Sequence, residues 1–265
     1  MVVLRISKPS NFKIMKIVQI CAVSGLFISM ANAAPLKSAV VTTVVNDVKL
    51  SERSEVAKVI GTGQTMGGSS TLLTGRKSRA ALTFPDKTVS RVGANSVFRF
   101  SSGSRDMEIK QGSFLLQVPK GAGGATIRTS TVVAGITGTT TMMEYNPGIS
   151  LKFICLEGTA KLTNKKGDKV QIPRGKMIIM HPDALKFPRP VMVDVKRMVK
   201  TSALVEKDTF GDLEPEAEAA IEETIAEQME GKRDGSLQAA GQDEGGDIQD
   251  NGRRMLSETY SSYSQ

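Results

Sequence analysis

The residues that could do chemistry are few. The chain has one histidine, His181, and two cysteines, Cys21 and Cys155. A protein zinc site draws three or four ligands from Cys, His and carboxylates, and a nucleophilic Ser or Cys needs a nearby base. With one His this inventory supports neither, and no catalytic, cofactor-binding or metal-binding residue is expected. Glu144 and Glu157 are the only acidic residues between Glu108 and Asp168, so they are the one pair that could act as glycosidase carboxylates. Nothing else in the sequence accompanies such a site. Gly135-Ile136-Thr137-Gly138-Thr139-Thr140 has the glycine spacing of a loop, but no Gly-Lys-Ser/Thr follows, so it reads as a strand or turn rather than a phosphate cradle. Asp86, inside Pro85-Asp86-Lys87, reads as an Asx-type turn residue. Gly121-Ala122-Gly123-Gly124 reads as a long hairpin loop, with a flexible lid as the alternative.

Two features bear on where the chain works. Residues 1–33 carry Arg5, Lys8, Lys13 and Lys16 without an acidic residue, then the apolar run 17–30, then Ala31-Asn32-Ala33. Basic start, short apolar core and small-x-small end are the pattern of a secretory signal peptide, and the run is shorter than the about 20 residues a membrane span needs. The true start is Met1 or Met15, and an uncleaved anchor is the alternative. Cleavage before Ala34 removes Cys21 and leaves Cys155 alone in the apolar run 151–156. It then reads as a small buried hydrophobe, with an intermolecular or reactive thiol as the other reading.

Charge divides the remainder. Residues 34–210 carry a net +14 and residues 211–265 a net −10, within an overall +8. The basic residues are interleaved with apolar ones, as on the solvated outer face of a sheet. A basic surface outside the cytoplasm also suits anionic lipid or polysaccharide. No nucleic-acid reader motif is present, and aromatics are only 5% with no Trp, which disfavours base stacking.

The elements that position these residues read as short strands. Apolar runs at 39–45, 57–60, 78–84, 89–92, 96–100, 107–110, 114–118, 125–129, 150–156, 159–162, 170–172 and 177–180 are separated by turn signals. Those signals include Gly67-Gly68, Ser102-Gly103-Ser104, Asn146-Pro147-Gly148 and Asn164-Lys165-Lys166-Gly167-Asp168. Near-period-two alternation with turns about every ten residues predicts an all-β sandwich, barrel or solenoid-like stack. A loose echo puts a polar residue and Gly ahead of a strand at Gln111-Gly112, Glu157-Gly158 and Arg174-Gly175. Pro182, Pro188 and Pro190 end the β-region. Helical spacing follows over 191–204, and a second helix is expected over 215–230, opened by Pro215 and ended by Gly231. Residues 231–265 read as a disordered tail. The second helix has eight acidic residues within 212–230 and a narrow Ala-rich stripe of Ala217, Ala220, Ile221, Ile225 and Met229. It is expected to dock weakly on the basic body, mainly by charge.

The order of these pieces resembles the FecR domain, the extracytoplasmic β-domain of iron-siderophore signalling sensors and of many exported proteins. The resemblance runs over about 45–182. It is carried by Leu73-Thr74-Gly75-Arg76-Lys77-Ser78 through Asp86-Lys87-Thr88-Val89-Ser90-Arg91-Val92-Gly93, by the strand at 95–100, and by Lys110-Gln111-Gly112-Ser113-Phe114. Ile127-Arg128-Thr129 through Gly138-Thr139-Thr140, Leu156-Glu157-Gly158 and Pro173-Arg174-Gly175-Lys176 complete it. Lys87 stands where the family usually has the Gly of an Asp-Gly turn. No anti-sigma segment precedes the β-domain, so the resemblance does not extend to the transmembrane sensor role. The expected organisation is a FecR-like domain over 34–190 followed, from the helical spacing, by a helical extension over 191–230. The expected function is a non-enzymatic exported binding or interaction module of the periplasm or cell surface, in signalling through a protein partner. The alternative is a structural or polysaccharide-associated envelope protein.

Overall fold

The computed structural model describes residues 35–52 and 55–234. The expected signal peptide and residues 235–265 of the expected tail lie outside the described residues. The first strands are β1 (Ser38–Val45), β2 (Val48–Glu52), β3 (Lys58–Val59), β4 (Thr65–Gly67), β5 (Ser70–Thr74) and β6 (Arg79–Thr83). Then come β7 (Val89–Val92), β8 (Val97–Phe100), β9 (Asp106–Val118), β10 (Ala125–Arg128), β11 (Val132–Ile136) and β12 (Thr139–Asn146). The last are β13 (Ser150–Glu157), β14 (Thr159–Asn164), β15 (Lys169–Pro173), β16 (Lys176–Met180) and β17 (Val191–Met192). Three helices follow: α1 (Val195–Thr201), α2 (Lys207–Phe210) and α3 (Pro215–Asp234).

The pairings form two sheets that share one strand. Sheet I runs β4-β1-β6-β7-β9-β12-β13-β16-β17. Sheet II runs β3-β2-β5-β8-β9-β10-β11-β14-β15. The residues alternate in burial along β5 and β8, and the inward ones from both sheets, among them Leu72, Phe98, Met107, Leu82, Phe114 and Phe153, close on one another in a single core. The molecule is therefore an all-β sandwich with short C-terminal helices, as the alternating pattern predicts.

β9 belongs to both sheets. Its first half pairs with β8 and β10 in sheet II, and its second half with β7 and β12 in sheet I. Two strands were expected here, over 107–110 and 114–118. They are one strand of 13 residues because Gly112 turns the corner at φ 103° without ending the pairing. A Cβ there would lie 2.0 Å from Ser96 Oγ. Three of the earlier crossings between sheets, at Asn46-Asp47, Gly75 and Gly93, lie at the same end as Gly112, where Gly75 N–H donates to Asp47 O at 2.9 Å and Gly93 N–H to Ser113 O at 2.8 Å. The later crossings, at Gly138, Gly158 and Gly175, lie at the opposite end, because β12 runs antiparallel to β9 with Thr139 beside Val118. The Gly echo in the sequence thus marks corners where the chain leaves one sheet for the other.

The glycine run at 121–124 is not a hairpin loop. β10 pairs parallel to β9, with Thr126 opposite Asp106, so the run is part of a crossover that returns the chain to sheet II. Strands β2, β4, β5, β11 and β12 lie outside the runs expected from the sequence. β12 has no alternation to find: Thr139 through Met143 are all buried, since the core takes one face and the C-terminal segment covers the other.

That segment departs from expectation in three ways. Val191 and Met192 extend sheet I as β17 rather than starting a helix, and α1 begins after Asp194, whose carboxylate accepts from Arg197 N–H at 2.9 Å. α3 continues past Gly231, where Lys232 Nζ meets Asp194 Oδ2 at 3.0 Å. The buried face of α3 is Ala217, Ile221, Thr224, Gln228 and Gly231, and Met229 is exposed. Gln228 belongs to this face because its amide donates to Val193 O at 2.9 Å and accepts from Val195 N–H at 3.2 Å.

Candidate functional site

The residues singled out by type do not converge. Glu144 lies opposite Lys152 and is exposed, whereas Glu157 lies opposite Thr140, four residues along β12. At about 3.3 Å per residue that is roughly 13 Å, beyond the spacing of glycosidase carboxylates. Glu157 accepts from Thr140 Oγ1 at 2.8 Å and sits 3.9 Å from Lys120 Nζ. Cys155 is buried in the core, its Sγ 3.2 Å from Glu157 O, and burial pushes its pKa up to about 12. This is the small-hydrophobe reading of that thiol. Asp86 makes the expected Asx turn, accepting from Thr88 N–H at 3.0 Å and Thr88 Oγ1 at 2.9 Å, and it also pairs with Arg105. Among the described residues no group of three or more His, Cys, Asp and Glu side chains is placed to hold a metal.

His181 leads to a different place. Its Nε2 lies 3.1 Å from Gly148 O, and its Nδ1 accepts from Asp183 N–H at 3.2 Å. It therefore ties the loop after β16 to the turn between β12 and β13. The turn between β14 and β15 joins them through Asn164. That amide donates to Ala184 O at 3.3 Å and Leu185 O at 2.9 Å, and accepts from Lys166 N–H at 2.9 Å and Asp168 N–H at 3.0 Å. Its hydrogen-bonding capacity is filled, which a buried amide requires. Phe187 N–H donates to Asp168 Oδ2 at 2.7 Å, and Lys165 N–H to Thr131 O at 3.2 Å. Four connections, at 129–131, 146–150, 164–168 and 181–190, are thus bound into one surface at the Gly112 end of the sandwich.

Its chemistry is cationic and apolar together. Lys165, Lys166, Lys169, Lys186 and Arg189 are all exposed, and among the described residues none is in an ion pair. Between them Leu185 is 65% exposed and Ile149 54%. A shallow open cleft runs behind Leu185, walled by Ile179, His181 and Phe187. Asp168, the acid nearest Lys165, Lys166 and Lys169 in the chain, is turned inward to Phe187, and Asp183, nearest Lys186, is exposed at the cleft. The sequence marked 146–148 and 164–168 only as turns, 129 as the end of a strand run, and 182–190 only as the prolines that end the β-region. Their convergence was hidden because Asn164, which joins them, looks like any other turn residue.

The opposite end and the outer face of sheet I are closed by the chain itself. Leu115, Met142, Ile154 and Leu156 of the sheet pack against Val195, Leu204, Leu213, Ala217 and Ile221. Arg91, buried in that layer, donates through Nη1 to Leu204 O at 3.2 Å and through Nη2 to Gly211 O at 3.2 Å and Asp212 O at 2.9 Å, with Phe210 under its guanidinium. Burial lowers its pKa from the usual arginine value, against the pull of Glu218 and Asp212. The acidic helix meets cations of this end and of the outer face: Arg174 bonds Glu223 at 2.7 Å and Glu227 at 2.6 Å, and Lys207 bonds Asp212 and Glu218 at 2.8 Å each.

The profile of the FecR protein family matches residues 70–161, from the start of β5 into β14. That stretch is a FecR-like segment. The match takes in the corners at Gly75, Gly93, Gly112, Gly138 and Gly158, so the FecR segment is the part that weaves between the sheets. It stops before the β14–β15 turn, the loop at 181–190 and the helices. Two crystal structures of a protein described as an anti-sigma factor from Parabacteroides distasonis are similar. One, at 1.65 Å resolution, is 17% identical with a TM-score of 0.40, covering 44% of this chain and 57% of that one. The other, at 2.50 Å, is 15% identical with a TM-score of 0.42, covering 49% and 64%. The chain thus spans less than two thirds of those proteins. No curated protein matches it.

Proposed function

We propose that this chain is a non-enzymatic, exported FecR-like interaction module of the cell envelope that meets its partner through the loop surface at the Gly112 end. The observation that carries this is the Asn164-centred assembly of four connections into one ordered surface with unpaired cations. Binding residues concentrate on loops held by a rigid scaffold. The other surfaces are less suited. Sheet I is covered by its own helices. The strand edges are blunted, as edges of stable sheets are: β3 and β17 have two residues each, β4 has three, and β15 carries Lys169 and Pro173. Export is supported by the signal pattern in residues 1–33. Among the described residues no helix is long and apolar enough to cross a membrane. The match of residues 70–161 to the FecR family supports a role in signalling at the envelope.

The test is recovery of the chain from fractionated cells and capture of envelope components on it. The expected result is chain in the envelope fraction with its N-terminus at Ala34, and capture that falls when Lys165 and Lys166 are changed to Glu. Chain confined to the cytoplasm, or capture unchanged by that double variant, overturns the reading. The alternative, a polysaccharide-associated protein, rests on the same cations, but a glycan gains nothing from Leu185 and Ile149.

A further inference from the structure

The loop surface combines features that are usually kept apart. Two aliphatic side chains stand exposed, Leu185 by 65% and Ile149 by 54%, on separate loops locked together through His181 and Asn164. Around them stand five cations unpaired among the described residues, while nine other described cations, such as Arg105 with Asp86 and Arg128 with Asp106, are held by acids. Arg76, Lys77 and Lys110 are exposed at the same end. The acids of α3 are engaged by Arg174 at the other end and by Lys207 on the outer face of sheet I. The molecule is therefore polarised, with its cationic and apolar end facing away from its acidic helix.

From this we infer that the Gly112 end is a peripheral docking surface for an anionic phospholipid bilayer, with Leu185 and Ile149 entering the headgroup region and the surrounding lysines and Arg189 meeting lipid phosphates. The inference deepens the envelope reading above and rests on it for its setting. Charge complementarity selects an anionic partner. The aliphatic pair selects a bilayer over a soluble polyanion, because burial of Leu and Ile is favourable only where apolar matter receives them. A cation near an anionic membrane contributes about 1 kcal/mol, roughly a fivefold change in partitioning. No single cation holds the chain, and the set acts together. The rigid backbone ties matter because ordering the loops is completed before contact, so that cost does not fall on binding.

The experiment is sedimentation of the full chain with vesicles of phosphatidylcholine alone and with phosphatidylglycerol added, at low and high salt. Residues 1–33 are common to every variant, so differences between variants report the loop surface. Wild type is expected to partition more strongly onto the anionic vesicles, and less so as salt screens the charges. Lys165→Gln/Lys166→Gln/Lys186→Gln should lower that partitioning by about 100-fold at low salt. Leu185→Ser/Ile149→Ser should lower it by about tenfold or more, while retention on alginate, a soluble polyanion, stays as in wild type. Both sets change exposed side chains, and unchanged circular dichroism confirms folding. If the aliphatic variant binds vesicles as wild type does, or alginate displaces wild type from them fully, the surface is a polysaccharide or general polyanion site and the inference is wrong. A chain that stays in the cytoplasm fails the export reading without altering the vesicle result.

Discussion

Arg91 Nη2 donates to the backbone carbonyl of Asp212 at 2.9 Å, across 121 residues of chain. With its bonds to Leu204 and Gly211, this one guanidinium fastens the segment entering α3 to the middle of sheet I. Replacing Arg91 by Met leaves three carbonyls without their donor in a largely dry layer. Unmet buried groups and lost charged bonds together cost about 2–4 kcal/mol. The expected outcome is a lower melting temperature and faster amide exchange across 204–221, with β9 and β12 still protected. Uniform exchange in the variant and wild type would show that the guanidinium is not the fastening.

Apolar packing, not charge, holds α3. The electrostatic expectation from the eight acidic residues within 212–230 is met only at the rim, where Arg174 and Glu223 pair with the carboxylate 62% exposed. Such pairs contribute less than about 1 kcal/mol. Beneath them Ile221 is buried against the outer face of sheet I. Ile221→Ala should cost about 2–4 kcal/mol, and Arg174→Gln less than about 1. Limited proteolysis within 211–230 should therefore be nearly independent of salt in wild type and much faster in the Ile221 variant.

How much of this was legible in the sequence depends on what each residue reports. Period-two alternation in 79–84 and 96–100 reports one face toward a core, and those strands and the all-β class follow from it. Alternation does not say which sheet a strand joins. Hence Gln111-Gly112 and Arg174-Gly175 were visible as turns but not as crossings at opposite ends. β12 was hidden because Thr139 through Met143 are covered on both faces, which erases the period. The acidic stripe of α3 pointed to charge, because two of its buried positions, Thr224 and Gln228, are polar and do not register as an apolar face. The loop surface was invisible for a different reason: it is built by tertiary hydrogen bonds from Asn164 to residues 20 and 21 positions away.

Cys155 should be inert in the native state. Its pKa is about 12 against 9.0 for the free group, because burial disfavours the thiolate. At pH 8 roughly one molecule in ten thousand then carries the reactive form. Labelling by iodoacetamide should be undetectable in the folded chain and rapid in denaturant. The native state also holds this proton more tightly than the unfolded one. Its contribution is fully present below pH 9 and is lost as pH rises toward 12, so stability should fall over that window. A Cys155→Ala variant should show a shallower fall there.

Lys87 occupies a position suited to glycine. Lys87 N–H donates to Phe84 O at 3.0 Å, Phe84 N–H to Thr88 O at 2.9 Å, and Lys87 has φ 65°. This is a tight turn closed by a left-handed residue, which a Cβ disfavours by about 1–2 kcal/mol. Lys87→Gly removes that strain but adds freedom to the unfolded chain. The balance should favour the variant by about 0.5–1 kcal/mol, read as a rise in melting temperature. A drop would mean that the Lys87 side chain contributes more than its backbone costs.

Gly112 combines a left-handed backbone with a closed space. It has φ 103°, and an added Cβ would lie 2.0 Å from Ser96 Oγ and 2.5 Å from Ser96 Cα. Moving the hydroxyl alone does not solve the clash, because backbone is also in the way. Ser96 Oγ in turn accepts from Ser113 N–H at 3.1 Å, so displacing it opens the corner that carries β9 from sheet II to sheet I. Gly121 is the control: its φ is 82°, yet nothing lies within 4 Å of the added carbon. Gly121→Ala should cost only the backbone penalty of about 1–2 kcal/mol. Gly112→Ala adds overpacking and a broken corner, for a total of about 3–5 kcal/mol. Denaturant unfolding of the two variants separates the effects. Gly112→Ala should lose most of the native signal while Gly121→Ala keeps it, and the pairing of Ser96→Gly with Gly112→Ala should recover part of the loss. Equal costs for the two glycines would mean that only φ matters, and that the contact with Ser96 does not hold the corner.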